Sequence, residues 1–274
     1  MNKKSGPIPF LLLLFFALLI FFPIAWMIVT SIKTVEDTFS VPPRWLPTKV
    51  TFDSYKMIWV NYPLIYYLKN SVIVTFFSTL IAISMSCMSG YAASRSTSRF
   101  KKPFMIFLLV LQMFPAIMLL IPYYQMLVTL RTINTLRGLV LPNIAFTLPF
   151  TTWMMMGYFN TIPRELEQAA LIDGCNRFQS FYKVILPLAT PGMAATCIYS
   201  SIQAWNEYMF ALTLQTDEKM KTLTVGIAQM VGEYRVMWNE MMAAGLLASL
   251  PMIIAFLLFQ RQFISTLTAG AVKG

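Results

Sequence analysis

Long apolar stretches alternate with short polar segments along this chain. Six stretches of at least 20 residues contain no Asp, Glu, Lys or Arg: 5–32, 70–94, 103–130, 138–163, 184–206 and 241–260. A helix that crosses the hydrocarbon core of a bilayer needs about 20 apolar residues. The pattern predicts an all-α membrane protein with six transmembrane helices, at approximately 10–32, 70–91, 104–128, 138–159, 190–212 and 242–260.

Two of these spans contain two prolines each. The third span contains Pro115 and Pro122, and the fourth contains Pro142 and Pro149. A proline removes one backbone hydrogen bond from a helix, and membrane helices tolerate it where neighbouring groups satisfy the freed carbonyl. We therefore expect breaks or kinks in both spans.

The polar segment 160–189, between the fourth and fifth spans, predicts two short helices joined by a turn. Pro163 suits a first helical position, and Gly174 fits a left-handed cap at the end of the first helix. Asn176 with Gln179 three residues later resembles a capping box for the second helix, and Pro187 marks its end. The simplest alternative is an amphipathic hairpin that lies on the membrane surface.

The same segment carries a motif that resembles the EAA loop of ABC importer permeases. It consists of Gln168-Ala169-Ala170, three residues, Gly174, nine residues, and Val184-x-Leu186-Pro187. The family has Glu-Ala-Ala, Gly and Ile-x-Leu-Pro at this spacing. Gln168 thus stands where the family has a glutamate, and neighbouring Glu167 is the candidate to supply the missing charge.

The resemblance implies a coupling site for a separate ATPase. In the family, the EAA helix is held in a cleft of the ATPase and moves with it. On this chain the implied coupling residues are Glu167, Gln168, Ala169, Ala170, Asp173, Gly174, Leu186 and Pro187. We expect Ala169, Ala170 and Gly174 to line the face that the ATPase holds.

Three further segments are similar to the sugar-importer branch, and to the smaller of its two permeases in maltose-type systems: residues 205–208, 222–226 and 267–274. The resemblance implies a type I ABC importer permease. The sequence has no linker long enough to divide the chain, which predicts a single transmembrane domain, 1–274. The resemblance also implies four kinds of partner, namely a second, different permease, two ABC ATPase subunits, an extracytoplasmic solute-binding protein and a carbohydrate substrate. ATP and Mg would bind the ATPases, so no cofactor is expected in this chain.

The net charge of +10 would suggest nucleic-acid binding in a soluble protein. Here the basic residues are spread over the segments between spans, which indicates membrane headgroups and topology, and no nucleic acid. The densest short segment holds Arg95, Arg99, Lys101 and Lys102 without an acid, which favours a cytoplasmic location. We therefore expect a multi-pass protein of the bacterial cytoplasmic (inner) membrane, with the segment 160–189 and both termini in the cytoplasm.

The sequence lacks the residues of several enzyme classes. It has no histidine, its three cysteines form no disulfide framework, and neither a phosphate-binding G-x-x-x-x-G-K-[ST] loop nor a G-x-S-x-G elbow occurs. We expect no metal site and no catalysis. The charge-free spans also place the energy source outside this polypeptide, because ion-coupled carriers commonly hold ionisable residues in their spans. A secondary transporter or channel for a small polar solute is the alternative.

A few polar and aromatic side chains within or beside the spans are candidates for a solute path. Amides, a carboxylate and aromatic rings together suit a sugar, which presents both hydroxyl groups and apolar faces. The candidates are Gln112, Asn143, Gln203, Trp205, Asn206, Glu207 and Tyr208. The alternative is helix packing for the amides and interfacial anchoring for the aromatics.

Overall fold

The computed structural model describes residues 7–232 and 236–271, without the side chains of 7, 259 and 261–271. The described residues are nearly all helical, with one isolated β-bridge between Val231 and Val236. In chain order the helices are α1 (Pro7–Ser31), α2 (Val35–Thr38), α3 (Asp53–Asn61), α4 (Leu64–Arg95), α5 (Lys101–Leu111), α6 (Ala116–Thr129), α7 (Leu136–Phe159), α8 (Arg164–Ile172), α9 (Arg177–Ser180), α10 (Leu186–Leu188), α11 (Thr190–Trp205), α12 (Met209–Leu214), α13 (Leu223–Ala228) and α14 (Trp238–Ala271).

Four of the described helices are single spans by length and hydropathy: α1, α4, α7 and α14. The third predicted span, 104–128, is a bent pair instead, formed by α5 and α6, which meet at 92°. The fifth, 190–212, is α11 followed by α12, and Thr190–Trp205 meets Arg177–Leu188, which lies in the segment 160–189, at 75°. Six spans result if each bent pair crosses once. The last three residues of the C-terminal motif, 272–274, lie outside the residues that the structure describes.

The paired prolines of the third and fourth spans act differently. The chain breaks immediately before α6, with Pro115 at its N-terminal boundary, whereas α6 continues through Pro122. Helix α7 continues through both Pro142 and Pro149. Side chains within α7 supplement its backbone hydrogen bonds, since Nδ2 of Asn143 donates to the Leu139 carbonyl at 2.8 Å.

The chain divides into two compact units, and the first comprises residues 1–65 and 226–251. Polar contacts hold its described part together. The hydroxyls of Ser31 and Tyr55 lie 2.9 Å apart, and Nδ2 of Asn239 donates to Oγ of Ser54 at 3.1 Å. Most of α1 carries exposed apolar side chains, from Ile8 to Phe22. In water such a surface would be strongly unfavourable, so it indicates contact with lipid or another membrane chain.

The second unit comprises residues 66–225 and 252–274 and holds two apolar clusters. One centres on α7 and α12 and includes Leu139, Phe210 and Leu214. The other joins the end of α7 to the segment 160–189 and includes Phe159, Phe181 and Ile185. A side chain at Gly192 would overlap the ring of Tyr158, with a Cβ only 2.3 Å from Cγ, so glycine allows α11 to approach α7 closely.

Candidate functional site

The segment 160–189 is here called the coupling loop, after the role that the resemblance implies. Its first helix is α8, which ends at a glycine cap as predicted. Gly174 has φ +88, in the left-handed region. Its N–H donates to the Leu171 carbonyl at 3.2 Å, and the N–H of Cys175 donates to the Ala170 carbonyl at 3.0 Å. These two bonds form a Schellman motif, which satisfies carbonyls at the helix end. The left-handed cap is confirmed.

The second half of the coupling loop begins with the predicted capping box. Oδ1 of Asn176 accepts the Gln179 N–H at 2.8 Å, and Oε1 of Gln179 accepts the Asn176 N–H at 3.0 Å. A wider π-helical turn, Phe181–Ile185, follows and leads into α10. Phe181 and Ile185 are buried beneath the turn, so they anchor the loop to the end of α7.

Several large apolar side chains of the coupling loop are exposed. Ile172 is 87 % exposed, and Leu166, Leu171, Phe178 and Tyr182 are exposed as well. Exposed apolar side chains of this size are typical of surfaces that contact another protein or lipid. Ala169 lies on the exposed side, but Ala170 is buried within the chain at 6 % exposure. The expectation that Ala170 lines the outer face is therefore corrected.

Glu167 faces inward and ties the coupling loop to α4. Its Oε2 accepts a hydrogen bond from Nε of Arg95 at 2.9 Å, and its Oε1 accepts one from the Tyr91 hydroxyl at 2.6 Å. Arg95 also donates to the carbonyls of Phe159 and Ile162, at 3.2 and 3.3 Å. The carboxylate of Glu167 is thus bound within this chain. Glu167 therefore does not supply a free charge in place of the family's glutamate, whose position is occupied by Gln168.

The remaining predicted coupling residues are more accessible. Gln168 is exposed and lines a cavity of about 470 Å³ together with Arg95, Arg164 and Arg177. Asp173 and Pro187 are exposed, and Leu186 is half-buried. The exposed surface of the loop thus combines apolar side chains with charged ones, and an amide stands at the position of the family's glutamate.

A second site lies among α6, α7, α11 and α12, where five of the seven solute-path candidates meet. Gln112, Asn143, Gln203, Asn206 and Glu207 line one cavity of about 380 Å³. Trp205 is buried at 6 % exposure and Tyr208 is exposed, and both lie outside this lining. The predicted amides and the carboxylate therefore meet in one cavity, whereas the two aromatic candidates, Trp205 and Tyr208, do not line it.

The carboxylate of Glu207 caps a short helix at this cavity. Oε1 accepts the Phe210 N–H at 2.7 Å, and Oε2 accepts the Ala211 N–H at 3.0 Å. Both donors belong to the first turn of α12, where backbone N–H groups lack partners within the helix. A negative charge is favoured at this end of a helix, and within the described residues Glu207 forms no ion pair with a basic side chain.

The aromatic wall of the cavity comes from residues that the sequence analysis did not single out. Phe146, Tyr199 and Phe210 line it, and the rings of Phe146 and Phe210 lie 5.4 Å apart. Helical spacing could have found these residues, because residues three or four apart share a face of a helix. Phe146 lies three residues after Asn143 on α7, and Tyr199 lies four residues before Gln203 on α11.

Comparison with known proteins identifies the family. The binding-protein-dependent transport system inner membrane component family matches residues 79–268. The chain belongs to this family. It is 37 % identical over 261 residues to the trehalose/maltose transport system permease protein MalG of Thermococcus litoralis, covering 94 % of this chain and 93 % of the relative. It is 34 % identical to the sulfoquinovosyl glycerol transport system permease protein SmoH of Agrobacterium fabrum, covering 92 % and 89 %.

The fold of this binding-protein-dependent permease is also that of solved importers. The crystal structure of a bacterial ABC transporter involved in the import of the acidic polysaccharide alginate matches with a TM-score of 0.80. The match covers 96 % of this chain and 99 % of the other, at 24 % identity. The predicted fold class, an all-α membrane protein of the type I ABC importer permease kind, is confirmed, and so is the resemblance to this family.

Proposed function

We propose that this permease is one half of the pore of an ATP-driven sugar importer. The observation that carries the proposal is the cavity at α7 and α11, in which amides, a carboxylate and aromatic rings converge. Sugar hydroxyl groups need hydrogen-bond partners, while the apolar face of a sugar ring packs against aromatic side chains. The cavity volume of about 380 Å³ suits a small ligand or one end of a larger one. The two curated relatives described above are named for sugar or glycoside transport.

The proposed importer contains several chains. Two ATPase subunits bind ATP and Mg and grip the coupling loops, a second, different permease completes the pore, and an extracytoplasmic solute-binding protein delivers the sugar. The exposed apolar face around Ile172 supports the ATPase contact. In this arrangement the coupling loop and both termini lie in the cytoplasm.

Movement of the coupling loop would reach the cavity through α7. Arg95 links Glu167 of α8 to the carbonyl of Phe159, the last residue of α7. The same helix carries Asn143 and Phe146 to the cavity. Because a helix transmits a displacement along its length, ATP-driven motion of the ATPases would reshape the cavity and alternate its access.

The test is uptake by proteoliposomes that contain this permease with an ATPase, a second permease and a binding protein from the same organism. We expect accumulation of a sugar only when ATP is enclosed with the ATPases and the binding protein is present on the other side. Uptake by this chain alone, driven by a proton or sodium gradient, would contradict the proposal and support a secondary transporter. If ATP drives uptake of another solute but of no sugar tested, the sugar assignment is wrong while the assignment as an ATP-driven importer stands.

A further inference from the structure

A cavity of about 490 Å³ lies beside the segment that joins α4 to α5, away from the sugar cavity. Its lining changes character from one end to the other. Residues 96–99, 101 and 102 contribute hydroxyl and basic groups, whereas Ile106 and Leu109 of α5 and Trp153 of α7 contribute apolar surface. A single site that is basic at one end and apolar at the other suits a ligand with the same two-part character.

The basic end carries Arg99, Lys101 and Lys102. Within the described part of the chain, none of the three forms an ion pair with an acidic residue. Nζ of Lys101 donates to the Ser94 carbonyl at 3.4 Å, and the guanidinium of Arg99 lies 5.1 Å from the centre of the Phe100 ring. These contacts orient the cations without neutralising them, so the site favours an anion.

Two serine hydroxyls beside these cations can donate to an anion. Oγ of Ser96 accepts the Ser98 N–H, and Oγ of Ser98 accepts the Phe100 N–H, each at 3.2 Å. A hydroxyl that accepts a hydrogen bond still has its own proton to donate. These bonds also hold both oxygens in place, so the segment presents two positioned donors to a phosphate group.

The apolar end is open to the surroundings. Ile106 is 51 % exposed and Trp153 is 44 % exposed, and the Trp153 ring stacks on Phe150 with centroids 5.9 Å apart. In a membrane protein, apolar surface beside a basic segment lies where lipid headgroups meet their acyl chains, a level at which tryptophan is enriched. A soluble anion would leave this wall uncovered, whereas an acyl chain would cover it.

We propose that this cavity binds one anionic phospholipid. Its phosphate contacts Arg99, Lys102 and the serine hydroxyls, and one acyl chain packs along Ile106 and Trp153. The inference rests on the charge and polarity of the cavity and does not depend on sugar import, so either proposal can fail without the other.

The test measures quenching of Trp153 fluorescence by brominated lipids in nanodiscs that hold the full-length chain. Brominated phosphatidylglycerol and brominated phosphatidylcholine are compared at equal mole fraction in an unlabelled phosphatidylcholine bilayer. Subtracting the signal of a Trp153→Phe variant isolates this side chain. We expect stronger quenching by the anionic lipid, and excess inorganic phosphate should not reduce it.

Charge variants show whether the preference belongs to the cavity. Arg99→Gln with Lys102→Gln should lower the preference for phosphatidylglycerol by roughly fivefold per charge removed, the equivalent of about 1 kcal/mol for each basic residue near a membrane surface. The control is Lys49→Gln with Lys56→Gln, which removes two exposed charges from the first unit and should leave the preference unchanged.

Three results would overturn the proposal. The first is equal quenching by the two brominated lipids in the unaltered chain. The second is a preference that the Arg99 and Lys102 variant retains, or that the control variant also loses, because general attraction to a basic protein would explain either result. The third is loss of the preference on addition of inorganic phosphate, which would assign the basic end to a free anion.

Discussion

At the scale of single residues, partners decide the role of a side chain more than its position in a motif does. Glu167 stands beside the position of the family's glutamate, yet its carboxylate pairs with Arg95 and Tyr91 inside the chain. The ion pair is largely shielded, with the Arg95 and Glu167 side chains 14 % and 17 % exposed. Glu167 therefore positions α8 against α4 and α7.

The first prediction concerns this ion pair. Glu167→Gln removes a charge that accepts two hydrogen bonds, and such bonds to a charged group contribute about 1.5–3 kcal/mol each. We expect lower thermal stability of the purified chain and fewer sugar molecules transported per ATP hydrolysed. Glu165→Gln on the same helix is the matched control, because Glu165 is exposed. Equal behaviour of the two variants would show that the ion pair does not position the loop.

The second prediction tests the proposed sugar-binding role of the cavity between α7 and α11 at Gln203, an exposed residue of its lining. Gln203→Leu keeps a similar volume but removes the amide, so a sugar hydroxyl loses its partner. Leaving a polar group unpaired costs about 1–3 kcal/mol, so we expect the KM for sugar uptake to rise roughly tenfold. Gln125→Leu, an exposed position on α6 outside the cavity lining, should leave KM unchanged. An unchanged KM in the Gln203 variant would remove this residue from the solute path.

At the scale of elements, the coupling loop is a self-contained two-helix unit with a buried and an exposed side. Local caps end α8 at Gly174 and begin α9 at Asn176. Buried Phe181 and Ile185 fix the loop to the membrane helices, while Ile172 remains on its outer surface. Contacts with a partner can therefore be removed without disturbing the loop itself, provided that the altered residue is exposed.

Ile172→Asp is the third prediction. At 87 % exposure Ile172 contributes little to the fold of this chain, but a carboxylate in a closed contact would be desolvated without a partner. We expect the variant to insert normally, to retain much less ATPase on purification and to lose sugar uptake. Val60→Asp, an exposed apolar position on α3, is the control. Normal uptake by the Ile172 variant would exclude this face from coupling. Ala170→Asp would not be diagnostic, because Ala170 is buried and its variant would damage the loop directly.

The segment after α1 provides the fourth prediction, which concerns pH. Hydrogen bonds from the Thr48 hydroxyl and N–H, both 2.7 Å long, and the Arg44 guanidinium lower the pKa of Asp37 to about 2. A carboxyl with a depressed pKa stabilises the fold fully above its ordinary pKa of about 4, and this contribution is lost as the pH falls toward the folded value. Hydrogen exchange should therefore show protection of residues 41–50 that is constant from about pH 7 to 5 and declines below about pH 4.

Variants separate this effect from general acid unfolding. Asp37→Asn should reduce protection of residues 41–50 already at neutral pH, because the amide accepts these hydrogen bonds less strongly and does not pair with Arg44. Glu36→Gln changes an exposed neighbour and should leave protection unchanged. Full protection in the Asp37→Asn variant would show that the carboxylate does not hold this segment.

At the scale of the whole molecule, the fifth prediction concerns orientation. Single cysteines are placed in a variant that lacks Cys87, Cys175 and Cys197. With the coupling loop in the cytoplasm, cysteines at Thr97 and Lys183 should react with an impermeant thiol reagent only in opened cells. Cysteines at Lys49 and Lys219 should react in intact cells. All four positions are exposed, so burial does not confound the labelling, and the reverse pattern would contradict the proposed ATPase contact.

The sequence alone determined the class of protein and its local elements, because these depend on features that a short stretch carries by itself. Apolar length predicts spanning helices, and Gly174 and the Asn176–Gln179 pair act within a few residues of the helix ends that they cap. The motif spacing identified the family on the same local basis. These predictions agree with the structure and with the family comparison.

Only the tertiary structure decided which side chains meet, because those contacts join residues far apart in the chain. The partner of Glu167 lies 72 residues earlier, and the cavity between α7 and α11 combines Gln112, Asn143 and Gln203 from distant parts of the chain. Hydrophobic periodicity does not encode such pairings. Whether a proline breaks its helix also depends on its surroundings, so the chain bends next to Pro115 while α7 continues through Pro142. The sequence also did not reveal that Ala170 is buried, because a small apolar residue suits a buried position and a docking face equally well.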